Sequence, residues 1–250
     1  MDIIGFNFTF FIVLFIFFIG GVVKGTIGVG LPTITLVLLS FIFDIKDSIS
    51  FILIPIIFSN FIQLMDGKNL FAIARQTKYF LISSIILIVP GFFLLTILDS
   101  KIILLILAIL LISNSLLVAA KKIITLKDYN GFWTQALVGS LNGLATGVSS
   151  IYTMPMIFLI QSLQFEKDKL IQFMGLTFFL YSLVQLTLFA SFDMMNEKAL
   201  LFSSLACIPI LIGLFVGRFL RKIVSENLFK LLFNYMLLLM GLVILVKNIV

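Results

Sequence analysis

The run from Tyr129 to Phe165 is 37 residues long without one charged side chain, and its middle reads TGVSSIYTMP. A helix needs about 20 residues to cross a hydrocarbon core of about 30 Å, so this run is too long for one crossing and must break at its centre. Ile3 to Phe43 repeats the problem: 41 residues with Lys24 as the only charge, interrupted by GGVVKGTIGVGLP at 20–32. Any fold for this chain has to house two broken spans. Further charge-free windows at 48–65, 79–98, 102–120, 170–192, 199–217 and 231–246 each read as one membrane helix. No alternation of period two runs through them, which excludes a membrane β-barrel. The expected class is an all-α integral membrane protein.

Composition excludes other classes. With 62% apolar and 11% charged residues, the chain lies far from soluble globular domains. There is no histidine, and Cys207 is the only cysteine, so internal disulfides and the usual zinc sites lack their ligands. No metal or cofactor is expected. The net charge of +6 sits in short interhelical loops, where it sets membrane orientation and does not mark a nucleic-acid partner. Asp2 stands where a secretory signal would be basic, so the first apolar run is expected to stay in the mature protein.

The two broken spans align. Placing Pro32 on Pro155 puts Gly20 on Gly143 without a gap, an offset of 123, while FIQL at 61–64 faces LVQL at 183–186 at an offset of 122. Gly91 then faces Gly217. The chain reads as two repeats, 1–125 and 126–250, of the kind found in secondary transporters. Loop charge decides their relative orientation. If each broken span returns to the side it entered, one face carries only Lys46, Lys101, Lys198 and Lys247, and the other collects the remaining twelve loop lysines and arginines, Lys121, Lys122 and Lys230 among them. Each repeat is then a broken Gly-rich helical hairpin plus three transmembrane helices. An odd number of crossings inverts the second repeat and leaves both termini outside.

Irregular backbone at membrane depth is tolerated only where protein buries it or a cavity solvates it. Pro32 and Pro155 suit the first position of a half-helix whose free N–H groups and positive dipole end point to mid-membrane. Two such ends form an expected anion site. Its candidate residues are Lys24, Gly25, Thr26, Gly28, Gly30, Pro32 and Thr33 in the first copy, and Asn142, Gly143, Thr146, Gly147, Ser149, Ser150, Thr153 and Pro155 in the second. Gln63 and Gln185 stand at matching places and are expected to line the same cavity. Lys24 is the sharpest of these, because a lysine at mid-membrane costs about 2.5–3.5 kcal/mol on insertion scales. Other readings compete: Gly21 and Gly25 form a helix-packing GxxxG pair, Lys24 can snorkel, and the glutamines can bond between helices. Every Asp and Glu lies near a helix end or in a loop, so no intramembrane carboxylate offers a proton relay.

The paired Gly-rich breaks ending in Pro32 and Pro155, and the stretch GLFVGRFLRKIVSENLFKLLFNYMLLLMGLVIL at 213–245, resemble the TauE/SafE (DUF81, TSUP) sulfite exporter family over nearly the whole chain. The resemblance implies an inner-membrane permease, usually exporting, for small anions such as sulfite, sulfonates or related organosulfur and carboxylate anions. It maps the family's glycine signature onto Gly20, Gly25, Gly28, Gly30 and Pro32, and its second copy onto Gly143, Gly147 and Pro155. Two departures stand out: VSSIYT where more glycines are expected, and Lys24 at a place expected to be small or apolar. The expected partners are the lipid bilayer and a small anion, with a homo-oligomer left open. An anion channel and a non-transporting membrane scaffold are the alternatives; a membrane enzyme lacks a base for Ser149 or Ser150.

Overall fold

A computed structural model describes residues 8–120, 124–223 and 226–249. Asp2, Lys121, Lys122, residues 224–225 of the C-terminal stretch and the side chains of Glu226 and Lys230 lie outside the description. Among the described residues every regular element is a helix: α1 (Phe8–Ile27), α2 (Leu31–Ser40), α3 (Ile45–Met65), α4 (Leu70–Gln76), α5 (Lys78–Ile97), α6 (Ser100–Ala119), α7 (Phe132–Ser149), α8 (Met156–Leu163), α9 (Lys167–Ser191), α10 (Glu197–Leu205), α11 (Cys207–Ile223) and α12 (Glu226–Ile249). Among the described residues, seven segments are long and apolar enough to cross a membrane: α1, α3, α5, α6, α9, α10 together with α11, and most of α12. The chain is an all-α, multi-pass membrane protein. Helix α7 is also 18 residues long, but Gln135, Asn142 and Thr146 make it more polar.

Short polar side chains start several helices. The carboxylate of Asp44 accepts from Lys46 N–H at 2.9 Å and that of Asp99 from Lys101 N–H at 2.8 Å. Asn196 Oδ1 accepts from Ala199 N–H at 2.9 Å. Each satisfies one of the donors that a helix start leaves open.

The order long, short, long, short, long, long recurs in α1–α6 and α7–α12. The most extensive seams pair α1 with α11, α5 with α7, α3 with α9, and α6 with α12. This set is unchanged when the first six helices are exchanged for the last six, and every one of these seams joins the first half of the chain to the second. Two of the seams are glycine stripes. A Cβ on Gly21 or Gly25 of α1 would press on the backbone of Ile210, Gly213, Leu214 or Gly217 in α11. A Cβ on Gly139, Gly143 or Gly147 of α7 would press on Phe80, Ser84, Ile88 or Gly91 in α5. In lipid no hydrophobic force drives helices together, so such close backbone contact is what holds the seam.

Three details differ from expectation. The first arms are full-length helices of 20 and 18 residues, and only the return arms, of 10 and 8 residues, are short. Pro32 is the second residue of α2, behind Leu31, and Pro155 is the N-cap of α8. The glycine that packs like Gly143 is Gly21, whereas Gly20 faces Thr35 of its own hairpin. The correspondence in the first arms is therefore 122, against 123 between the prolines, and the second break is the longer, six residues at 150–155 against three at 28–30. A gapless alignment on the prolines hides that difference.

Candidate substrate cavity between two broken hairpins

The first break is made by glycine. Gly28 and Gly30 adopt φ of +84° and +97°, which a side chain disfavours. At Gly30 a Cβ would also lie 2.6 Å from Phe233 Cζ. Gly28 N–H closes helix α1 onto Lys24 O at 2.7 Å. Gln63 of α3 holds the turn from outside, its Nε2 donating to Gly28 O at 3.2 Å and to Ile171 O at 2.9 Å. Helix α2 then starts with no side-chain cap. Ile34 N–H returns to Gly30 O at 2.9 Å, while the N–H groups of Leu31 and Thr33 have no bond among the described residues.

The second break is made by side chains. Ser150 takes the left-handed conformation, φ 55°, at the place of Gly28, and Gln185 of α9 takes the place of Gln63. Gln185 Nε2 donates to Ser150 Oγ at 2.8 Å and to Thr146 O at 3.0 Å, and its Oε1 accepts from Tyr152 Oη at 2.6 Å. Asn142 closes the rest: its Oδ1 accepts from Met156 N–H at 2.7 Å, and its Nδ2 donates to Tyr152 O at 3.2 Å and Tyr181 Oη at 3.1 Å. Thr146 Oγ1 donates to Ile151 O at 3.2 Å, and Ser149 Oγ accepts from Ile151 N–H at 3.2 Å. The start of α8 is thus already occupied by protein, which the expectation of two equal helix ends did not foresee.

Lys24 is 5% exposed. Its Nζ donates to Ser59 Oγ at 3.1 Å and to Asn60 Oδ1, both neutral groups on α3. The side chain does not snorkel. Beside it Asn60 Nδ2 and Gln63 Oε1 are buried without a hydrogen-bond partner among the described residues. Thr26 Oγ1 donates to Val22 O at 2.7 Å and Gly217 O at 3.3 Å, in the seam with α11.

A cavity of about 560 Å³ lies between the two hairpins. Gly30 and Thr33 enter it from the first break, and Thr153, Ile157 and Ile160 from the second. Asn114 and Val118 of α6, Phe233, Asn234 and Leu237 of α12, and Leu170, Ile171 and Met174 of α9 complete the walls, with Phe165 and exposed Lys167 at one end. The side chains of Thr33, Thr153 and Asn114 have no hydrogen-bond partner among the described residues, so three neutral polar groups are open to a ligand. Asn234 Nδ2 donates to Ser115 O at 3.1 Å.

Of the residues expected at the site, Gly30, Thr33 and Thr153 line this cavity, and Pro32 and Pro155 flank them. Gly28, Gln63, Gln185, Asn142, Thr146, Ser149 and Ser150 shape the breaks. Gly25, Thr26, Gly143 and Gly147 sit in helix seams, and Lys24 lies beside Ser59 and Asn60, outside the cavity wall. Asn114, Asn234 and Phe233 were missed. Each lies in an apolar helix outside the repeats' matching stretches, and a lone Asn in such a span is the signal that could have found them.

The family model for "Sulfite exporter TauE/SafE" matches residues 13–244. The chain belongs to this family. TauE/SafE proteins are membrane transporters of sulfite-type anions and not enzymes. Searches of curated proteins and of solved structures gave no match. Among the described residues the cavity wall carries no acidic side chain.

Proposed function

We propose that this protein moves a small anion, sulfite or an organic sulfonate or carboxylate, by alternating access to the cavity between the hairpins. The cavity carries this reading: both breaks reach it, and Thr33, Thr153 and Asn114 offer hydroxyl and amide donors within it. The open N–H groups at the start of α2 add a positive dipole end on one side. Apolar walls from Ile157, Ile160, Leu170 and Phe233 favour an anion that carries an organic body over a bare, strongly hydrated one. Lys24, buried beside neutral Ser59 and Asn60 with no carboxylate bonded to it among the described residues, contributes positive potential when protonated.

The repeat reading, 1–125 and 126–250 in inverted orientation, is supported by the helix pairing that survives exchange of the two halves. With both termini outside, the cavity mouth at Lys167 faces the cytoplasm and the chain lies in the inner membrane in an inward-open state. A cytoplasm-negative potential then drives the anion outward by about 2.3 kcal/mol per charge per 100 mV.

Flux of labelled sulfite, taurine, sulfoacetate and short carboxylates in proteoliposomes, at two clamped potentials, tests the function. Saturable, potential-dependent flux of one of these is expected. Linear flux without saturation would favour a channel, and no flux from folded protein would favour a scaffold.

A further inference from the structure

Two clusters of phenylalanine occupy opposite ends of the long helices α3 and α9. At one, Phe43 after α2 packs on Phe51 of α3, ring centroids 5.2 Å apart and edge to face. Phe202 of α10 joins both, 5.2 Å from Phe51 and 6.4 Å from Phe43. At the other, Phe165 after α8 packs on Phe173 of α9 at 5.9 Å, again edge to face, and Phe80 of α5 joins Phe173 at 6.0 Å. Phe43 and Phe51 map onto Phe165 and Phe173 at the same offset of 122 that relates Gln63 to Gln185 and N-cap Asp44 to N-cap Glu166. The third ring comes in each case from the other half of the chain. A lysine lies over the hairpin ring at both ends: Lys198 Nζ 5.6 Å from the Phe43 centroid and Lys169 Nζ 4.0 Å from that of Phe165.

The two clusters are not in the same state. All three pairs are in ring contact around Phe51, whereas Phe80 and Phe165 make no ring contact among the described residues, and Phe165 forms part of the cavity wall. None of the first cluster lines the cavity.

We propose that the two phenylalanine triads are the two gates of the transport path, with Phe43, Phe51 and Phe202 closed in full mutual contact and the second triad incomplete, Phe165 and Phe80 each on Phe173 but apart from one another. Three packed rings form a hydrophobic constriction that a hydrated anion does not cross. Each triad draws two rings from one half and one from the other, so rocking one half against the other separates one set as it packs the second. The lysine over each hairpin ring holds the gate residue by a cation–π contact and presents positive charge at the entrance. The inference rests on the reading of the cavity as the substrate site.

Cysteine accessibility tests it without knowledge of the substrate. In a Cys207→Ser background, Thr153→Cys reports on the cavity, and a charged, membrane-impermeant methanethiosulfonate is applied to intact cells and to inverted membrane vesicles. The parent is expected to label from the Lys167 face alone. Phe51→Ala with Phe202→Ala, or the milder Phe51→Leu with Phe202→Leu should the alanines fail to fold, is expected to raise labelling from the opposite face about tenfold or more, the shift expected for loss of an aromatic pairing that holds one state. Phe80→Leu with Phe173→Leu is expected to leave opposite-face labelling unchanged. Unchanged opposite-face labelling in the Phe51 and Phe202 variants, or an equal rise from both pairs, would overturn the gates. Labelling of the parent from neither face would overturn the cavity as well. The expected labelling together with silent flux assays would keep the barriers and remove the transport reading.

Discussion

The two hairpin breaks solve one problem in opposite ways. The first bends at Gly28 and Gly30 and leaves the N–H groups of Leu31 and Thr33 open beside the cavity. The second bends at Ser150 and fills itself with Asn142, Tyr152, Tyr181 and Gln185, each bonded to another. Glycine gives a bend with nothing in it, so the backbone can face a ligand; side chains give a bend that is closed to one. On the proposed function, the first break offers the ligand open backbone donors, while the second offers Thr153 and otherwise spends its polar groups on holding the frame.

Breaking the closed network has the largest expected effect. Asn142→Leu keeps the volume and removes three bonds at once, leaving Met156 N–H and Tyr152 C=O unpaired in a fully buried place and Tyr181 Oη with Ser84 in place of two partners. Buried groups without partners cost about 1–3 kcal/mol each, so a loss of about 3 kcal/mol or more is expected. Thermal unfolding in detergent checks it. Thr33→Val, at the open break, removes a hydroxyl with no protein partner and should change stability by less than about 0.5 kcal/mol. Its effect belongs in the flux assay, as slower transport. A melting point shifted as far by Thr33→Val as by Asn142→Leu would end the contrast.

How much of this the sequence carried follows from the same difference. The breaks themselves were legible, because clustered Gly and Pro weaken a membrane helix and belong in a charge-free run chiefly where the backbone has to bend. So was the pairing of Gln63 with Gln185, since identical residues at one offset survive in a repeat. The packing of Gly21 and Gly25 was legible as a GxxxG pair, and both press on α11. That Gly28 bends was not, because its left-handed φ of +84° is set by the fold and not by its neighbours in sequence. Asn142 read as one more candidate ligand because its real partner, the N–H of Met156, is a backbone group that sequence does not distinguish. Phe165, Phe173 and Phe80 were lost among 29 phenylalanines, where aromatic residues carry no positional signal.

A smaller effect on stability, with a clear one on function, is expected at Lys24. Lys24→Met keeps length and apolar bulk and removes a buried amine held by Ser59 and Asn60 among the described residues. The desolvation cost of the ammonium disappears, while Asn60 Oδ1 loses its donor, so stability should move by about 1 kcal/mol or less. Anion affinity should fall, because the interior loses a positive charge that no carboxylate offsets. KM for the transported anion, measured in proteoliposomes, is the readout. Unchanged kinetics in folded protein would make Lys24 a structural residue and leave the first hairpin's N–H groups and hydroxyls as the anion's partners.

A paired exchange at Gly28 and Ser150, whose second half has the smallest expected shift, separates the two bends most directly. Gly28→Ala has room, with the nearest atom to its Cβ, Ile171 Cγ1, at 3.7 Å, so its cost is the left-handed backbone alone, about 1–2 kcal/mol. Ser150→Gly runs the exchange in reverse. It relieves a similar left-handed strain at φ 55° but removes the hydroxyl that Gln185 Nε2 donates to at 2.8 Å, a bond of about 1 kcal/mol. The two terms nearly cancel, and a melting shift close to zero is expected. A large loss in Ser150→Gly would mean that the hydroxyl, and through it the Gln185 network, is what sets the second bend. A clear gain would mean that strain dominates, and that the second break keeps serine at a cost in stability in order to stay closed to the ligand.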